Sequence, residues 1–279
     1  MPMKQKTILT LQDYSCLGRC SLTVALPTIS ASGIQAVGIP TGVLSNHTAF
    51  PEWTFDDTLP CLMACPKNWG EHAPEFSAIY TGYLATSQVD MALSLIHSFK
   101  KEGTLLFVDP ACADGGELYP GFGEEHLEAM KRLFKEADLI KPNVTEACLL
   151  TATPYQENHD EAFCASLLPK LASLGPKRIV LSGVQKEGKI GSMVYDEGKV
   201  SLALNSLIPM KAHGTGDLFS SALVSALVLG KDLREAASIA GRYVSASLAF
   251  NQQDGVDGIL FGPEFEKAIP SFLRDLQVL

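Results

Sequence analysis

Short apolar runs, each too brief for a helix, alternate along this chain with longer stretches of helical period. That rhythm limits the fold more than any other feature. Thr7–Leu11, Gln35–Pro40, Ala78–Thr81, Leu105–Asp109, Leu139–Lys141 and Arg178–Ser182 read as strands. Helical stretches follow most of them: Ser21 to about Ser32, Ser87–Lys101, Glu124–Ala137, Asn143–Thr151 and Asp160–Leu174, then Leu233–Phe250 and Pro263–Leu273 near the end. Such alternation predicts an α/β fold with a mainly parallel sheet covered on both faces. Ser21 is the expected cap of the first helix, Pro27 a kink within it and Gly33 its stop. Gly191–Tyr195 and Lys199–Asn205 read as a hairpin turning at Glu197-Gly198. Residues 41–70, with Trp53, Trp69 and several prolines, break the rhythm. They are expected to form a flap or small extra sheet over the site, with a short helix near Asp56–Ala64. Ala111–Gly123 reads as a glycine-rich loop. No repeat or interdomain linker is visible, so residues 1–279 are expected to form one domain.

Ligands of open parallel sheets bind beyond the carboxyl ends of the strands. The polar residues that close the apolar runs fall at those ends: Asp13 and Ser15, Tyr83, Asp109, Asn143, Ser182 and Gly214–Asp217. The last group follows a strand-like run, Val200–Ile208, and opens an apolar helical stretch, Ser220–Leu229. Gly214, Thr215 and Gly216 therefore sit where a helix begins. The first amides of a helix have no internal partner and carry the positive end of its dipole. Glycine lets an anion approach them closely. Asp217 stands beside this cradle, its ionised form favoured by the helix start. A main-chain anion site next to a carboxylate suits transfer of a phosphoryl group to a hydroxyl. The plainer reading is a glycine turn and an ordinary helix-start acid.

Other residues carry similar pairs of readings. Asn143 and Glu146 share one face of a helix start; that spacing is a capping pattern first, and a water-mediated magnesium site second. Asp109 ends an apolar run, where a charge is costly without solvent, metal or a partner. Asp114 and Tyr119 lie in the loop beyond it. Gly183–Lys189 has P-loop spacing, but Ile190 stands where Ser or Thr belongs and a strand follows, so it reads as a hairpin turn. His47 reads as a hydrogen-bonding loop residue.

The chain has 279 residues, 46% of them hydrophobic, enough for a sizeable core. Lys and Arg number 22 against 31 Asp and Glu, a net charge of −9, which argues against a nucleic-acid or anionic-membrane binder. Met1–Thr10 shows lysines but no apolar leader core, and no apolar run is long enough to span a bilayer. Seven cysteines without a secretion signal fit reduced thiols in the cytoplasm. The pairs Cys16/Cys20 and Cys61/Cys65 read as buried thiols rather than metal ligands.

Together these motifs resemble the ribokinase-like kinases, and within them the pyridoxal/pyridoxamine kinases, over nearly the whole chain. Gly214-Thr215-Gly216-Asp217 is similar to that family's anion-hole and base motif, and Pro142-Asn143-x-x-Glu146 to its magnesium–phosphate motif. Asp109-Pro110, Asp114-Gly115-Gly116 and Tyr119-Pro120 resemble its nucleotide-side loop. Ser45-Asn46-His47-Thr48 and Thr81-Gly82-Tyr83 resemble its vitamin B6 pocket. The resemblance implies a three-layer α/β/α fold, ATP and Mg2+, a small-molecule substrate and a homodimer; it leaves a monovalent cation open. It implies Asp217 as base, Gly214, Thr215 and Gly216 as anion hole, and Asp109 and Glu146 near the metal. Asp109, Asp114, Asn143, Glu146 and Ser182 would serve the nucleotide, and Asp13, Ser15, Ser45, Thr48 and Tyr83 the pyridine substrate. Asp13-x-Ser15 resembles instead the hydroxymethylpyrimidine kinases of thiamin synthesis, the alternative substrate class. A ligand sensor without catalysis is the alternative of another class.

Overall fold

The computed structural model describes residues 5–279. Part of the leader reading of Met1–Thr10 rests on residues 1–4 and lies outside the described residues. Strand β1 (Thr7–Ser15), helix α1 (Ser21–Ala31) and β2 (Gln35–Leu44) open the chain. Next come β3 (Phe55–Asp57), the short helices α2 (Leu59–Leu62) and α3 (Cys65–Trp69), β4 (Ala78–Thr81), α4 (Val89–Phe99) and β5 (Leu105–Val108). A two-rung hairpin, β6 (Ala113–Asp114) and β7 (Glu117–Leu118), leads to α5 (Glu124–Glu136), β8 (Leu139–Ile140), α6 (Val144–Leu150) and α7 (Glu161–Ala172). The strands β9 (Arg178–Lys186), β10 (Lys189–Asp196) and β11 (Lys199–Ser206) follow. The chain then finishes in α8 (Thr215–Val228), α9 (Leu233–Asp254), α10 (Gly258–Phe261) and α11 (Phe265–Leu276).

One nine-stranded sheet runs β11-β10-β9-β8-β5-β4-β1-β2-β3. Its middle, from β9 to β2, is parallel, and β3, β10 and β11 add antiparallel edges. The inner parallel strands β1, β4, β5 and β8 are buried on both faces, and successive side chains point to opposite layers. Leu9, Ile79, Leu106, Ile140 and Ile179 join a core with α4, α5, α6 and α7. Their neighbours Ile8, Tyr80, Phe107, Leu139 and Val180 join the second core, with α1, α8, α9 and α11. The result is the expected α/β/α sandwich with a mostly parallel sheet.

Several boundaries differ from expectation. The first strand outruns its expected end at Leu11: β1 runs to Ser15, pairing Tyr14 with Val43 and Ser15 with Leu44 past an irregular register at Gln12. Ladder hydrogen bonds there outweigh the polar sequence. Ser21 does not cap α1: Cys20 is the cap, and Ser21 is its first residue, held at φ 46°. The Gly183–Lys189 stretch is indeed a hairpin and not a P-loop, but Gly183–Lys186 finish β9 and the turn itself is Glu187-Gly188, before antiparallel β10. Residues 41–70 continue β2, then fold back as β3 on its outer edge. All seven cysteines are free thiols, but Cys16 and Cys61 are exposed rather than buried. Among the described residues no helix is long and apolar enough to cross a membrane.

Candidate active site

Strand order decides where the site opens. From β1 the chain moves to β2 on one side and later to β4 on the other, which makes the β1/β4 junction a topological switch point with a crevice at its carboxyl end. From there the ends of β4, β5, β8 and β9 run in one line. Thr81 pairs with Val108, Val108 with Ile140, and Ile140 with Ile179. Asp109 and Lys141 thus emerge side by side.

Helix α8 starts against this line. Gly214 caps it at φ 80°, and a Cβ there would come within 2.0 Å of the Arg19 carbonyl oxygen. Glycine is required by both facts. Asp217, third residue of the helix, accepts the Ser21 amide at 2.8 Å on Oδ2. The starts of α1 and α8 therefore meet on one carboxylate, which explains the strained backbone at Ser21. Asp13, which is buried, accepts the Ser21 hydroxyl at 2.6 Å and the Ser15 hydroxyl at 3.1 Å.

Asp109 Oδ2 accepts the Ser220 hydroxyl at 2.6 Å and pairs with Lys141 Nζ at 2.7 Å. Glu146 is fixed from two directions. Its Oε2 accepts the Asn143 amide and its Oε1 the Cys112 amide, each at 2.8 Å, while Asn143 Oδ1 accepts the Glu146 amide. The capping box is therefore real, and it fastens the loop after Asp109 to α6. Asn143 also donates from Nδ2 to the Ala113 carbonyl and bridges to Ser182 on β9.

Charge is crowded here. Burial pushes Asp217 up to about 7, with Asp109 and Asp13 adding to it against the opposing Ser21 amide and Lys141. This corrects the expectation that the helix start favours the ionised form. Asp217 keeps some surface open to the cleft, but the protein packed around it outweighs a few oriented amides. Glu146 is likewise raised, by burial first and then by Asp109. Burial alone would lower the Lys141 pKa; Asp109, Glu146 and Asp217 outweigh it and keep the ammonium charged.

The expected residues do not all fall in one place. Asp13, Asp109, Glu146 and Asp217 come together around Lys141 and the Gly214–Gly216 turn. Asn143 and Ser182 border that cluster. Tyr83 joins the β1/β4 end, where Asp13 helps burial raise its pKa, and its ring stacks on Phe122 at 5.5 Å. Asp114 is exposed and accepts the Gly115 amide, though Tyr119 lies within electrostatic reach of both Asp114 and Asp217. Ser45 and Thr48 are exposed in the turn beyond β2, Ser45 donating to Asn46 and accepting the Thr54 amide. His47 bonds the Leu260 carbonyl and the Ala49 amide and stacks on His213, a structural role. Lys141, Ser220 and Phe122 are not among the expected residues. Lys141 closes an apolar run just as Asp109 does, and the same rule finds it.

A carboxylate beside an open helix start, backed by a fixed ammonium and further acids at a sheet's carboxyl edge, defines a phosphotransferase acting on an alcohol group. The phosphomethylpyrimidine kinase family matches residues 62–259, and the chain belongs to that family, with the ribokinase-like fold. A Bacteroides thetaiotaomicron protein described as a phosphomethylpyrimidine kinase and crystallised with pyridoxal is 30% identical, with 96% of each chain covered and a TM-score of 0.89. Pyridoxal kinase from Lactobacillus plantarum is 28% identical, with 96% of this chain and 97% of that chain covered and a TM-score of 0.86. Pyridoxal kinase of Dictyostelium discoideum is 26% identical over 82% of this chain and 78% of its own.

Proposed function

We propose that this protein phosphorylates the 5′-hydroxymethyl group of pyridoxal, pyridoxine or pyridoxamine with ATP, in vitamin B6 salvage. The observation that carries the reading is Asp217 beside the Gly214–Gly216 turn, on the same sheet edge as Asp13 and Tyr83. Its relatives named as pyridoxal kinases span most of the chain. Phosphoryl transfer passes through a loose transition state, so positioning and charge neutralisation do most of the work. The amides of Thr215 and Gly216 are open to the travelling phosphate. Asp217 orients the substrate hydroxyl and accepts its proton late in transfer. Its raised pKa suits a group that must pick up a proton near neutral pH. Tyr83 offers an aromatic face to the ring, and the orphaned buried oxygens Gln12 Oε1 and Thr81 Oγ1 offer polar contacts at the β1/β4 end.

The residues fit a magnesium ion. Asp109, Glu146 and Asp217 set three carboxylates against the single ammonium of Lys141, and hard cations take oxygen ligands and keep much of their water. Among the described residues no cluster of three or more His, Cys, Asp or Glu could hold a metal by itself. Asp109 and Glu146 would therefore hold the ion partly through water, where it would neutralise phosphate charge. Residues 41–70 serve as a cover for the crevice within a single domain. The exposed Val43, Trp53 and Phe55 at the β2–β3 edge suit a homodimer contact, and the free thiols suit the cytoplasm.

The second reading, a hydroxymethylpyrimidine kinase, is favoured by the Asp13–Ser15 pair at the ring end of the site. Turnover of pyridoxal and hydroxymethylpyrimidine, measured side by side with ATP and magnesium, tests both. The B6 reading expects pyridoxal to have the higher kcat/KM; the reverse order replaces it with the pyrimidine reading. Asp217→Asn is expected to lower turnover of order 10²-fold or more with nucleotide binding retained. Unchanged turnover would remove Asp217 from its role.

A further inference from the structure

Lys141 stands beside the transfer chemistry without a task in it, and its surroundings point to one. It leaves the carboxyl end of β8 beside Asp109, and both side chains are sealed, 6% and 3% exposed. A buried ion pair seldom recovers its own desolvation, and an apolar pair of equal volume often holds a fold as well or better. Stability alone is thus a poor reason for a lysine at this position. Its ammonium also faces the cradle: a Cβ on residue 216, where Gly216 has none, would stand 3.4 Å from Nζ. The same ammonium is 2.7 Å from Asp109 Oδ2, an oxygen already steadied by Ser220. An ammonium has three donors, and Asp109 uses one side of it. The other side lies over the first turn of α8, where the amides have no helical partner.

We propose that Lys141 is a resident cation of the phosphate site. Anchored on Asp109, its ammonium contacts an oxygen of the phosphate held at the Gly214–Gly216 amides, so that nucleotide binds without a divalent metal. The proposal rests on the kinase reading and adds to it a fixed positive charge that does not depend on an ion arriving from solution. The lysine is held by packing before the nucleotide enters, so little further ordering is needed on binding.

Calorimetric titration with ADP, in EDTA and in magnesium, tests this. The wild-type protein is expected to bind ADP in EDTA. Lys141→Met is expected to weaken that binding roughly ten- to hundred-fold, the span of one lost charge-assisted hydrogen bond, with a smaller loss in magnesium. Lys141→Arg is expected to recover part of it. Asp109→Asn breaks the same ion pair from the other side; it loosens the anchor but keeps the ammonium and removes a negative charge, so in EDTA, where its part in holding a metal does not count, it is expected to cost clearly less ADP affinity than Lys141→Met. A purely structural pair predicts equal losses in Lys141→Met and Asp109→Asn, and that result overturns the proposal. Should Lys141→Met fail to fold, Asp109→Asn/Lys141→Met strands no carboxylate and is expected to show the same loss relative to Asp109→Asn. Wild-type protein that binds ADP in magnesium but not in EDTA also overturns the proposal while leaving the kinase reading intact. Absence of binding in both conditions overturns the two together.

Discussion

Gly214 and Gly216 are two residues apart and carry unlike constraints. At Gly214 the left-handed backbone and the Arg19 carbonyl, which a Cβ would approach to 2.0 Å, leave no room for a side chain. Gly214→Ala is expected to lower Tm by several degrees, since strain of this kind costs on the order of 1–3 kcal/mol. At Gly216 a methyl group would meet only Lys141 Nζ, at 3.4 Å. Gly216→Ala is expected to melt close to wild type and to bind nucleotide more weakly, because the methyl stands where phosphate approaches. Melting curves beside ADP titrations separate the two, and equal Tm losses would contradict the distinction. Asp217 supports a prediction of sign. Its pKa rises from 3.8 to about 7 on folding, so between those values the folded chain binds a proton that the unfolded chain has released. Stability contributed by the protonated form is complete below about pH 4 and is lost as pH rises toward 7, by at most about 1.4 kcal/mol per pH unit. Asp217→Asn removes this titration and leaves that of Glu146. The variant is therefore expected to gain stability relative to wild type as pH goes from 5 to 8, read from denaturant melts. A difference that stays constant over that range would mean the carboxyl titrates normally.

Helix α6 shows what a sequence reveals about an element and what it hides. The Asn143–Glu146 spacing is local, so the capping box is legible, and both of its hydrogen bonds are present. The third bond, from the Cys112 amide 34 residues away, depends on β5 and β8 being neighbours, which no local pattern states. That bond explains why the two readings of Glu146 are not exclusive: the cap also places a carboxylate beside Asp109. The same division runs through the strands. Ala78–Thr81 ends where its apolar residues end. Strand β1 outruns its apolar residues because β2 pairs with Tyr14 and Ser15. Lys141 is legible as a polar residue closing an apolar run, but its pairing with Asp109 is not, since nothing nearby in sequence marks Asp109 as its partner. Glu146→Gln tests the nonlocal bond. The amide can keep the cap through its oxygen, but its NH₂ cannot accept from Cys112. Hydrogen exchange is expected to accelerate at Cys112 and Gly116 while the amides inside α6 stay protected. Unaltered exchange at Cys112 would show that the loop is held by its other contacts, the Asn143–Ala113 and Thr145–Gly116 bonds.

At the scale of the whole molecule, the parallel sheet collects charge at one edge. Each strand end contributes a residue that the two apolar cores cannot absorb: Asp13 from β1, Asp109 after β5, Lys141 after β8. Helices α1, α6 and α8 turn their starts toward the same edge, with the Ser21 amide, the Asn143–Glu146 cap and the Gly214 turn. Oriented amides offset part of the negative charge, yet Asp217 and Glu146 remain raised to about 7, so the free protein meets its excess of acid by holding protons. A ligand that brings positive charge competes with those protons and binds better once they have left. Magnesium with ADP is therefore expected to raise Tm more at pH 8 than at pH 6. ADP in EDTA brings only negative charge, and its Tm shift is expected to be smaller at pH 8 than at pH 6, since the ionised carboxylates repel it. Thermal melts in the four combinations of pH and metal decide the matter. If the magnesium–ADP shift does not grow with pH, the acids at this edge are already neutralised within the fold, and the metal has no deficit of charge to fill.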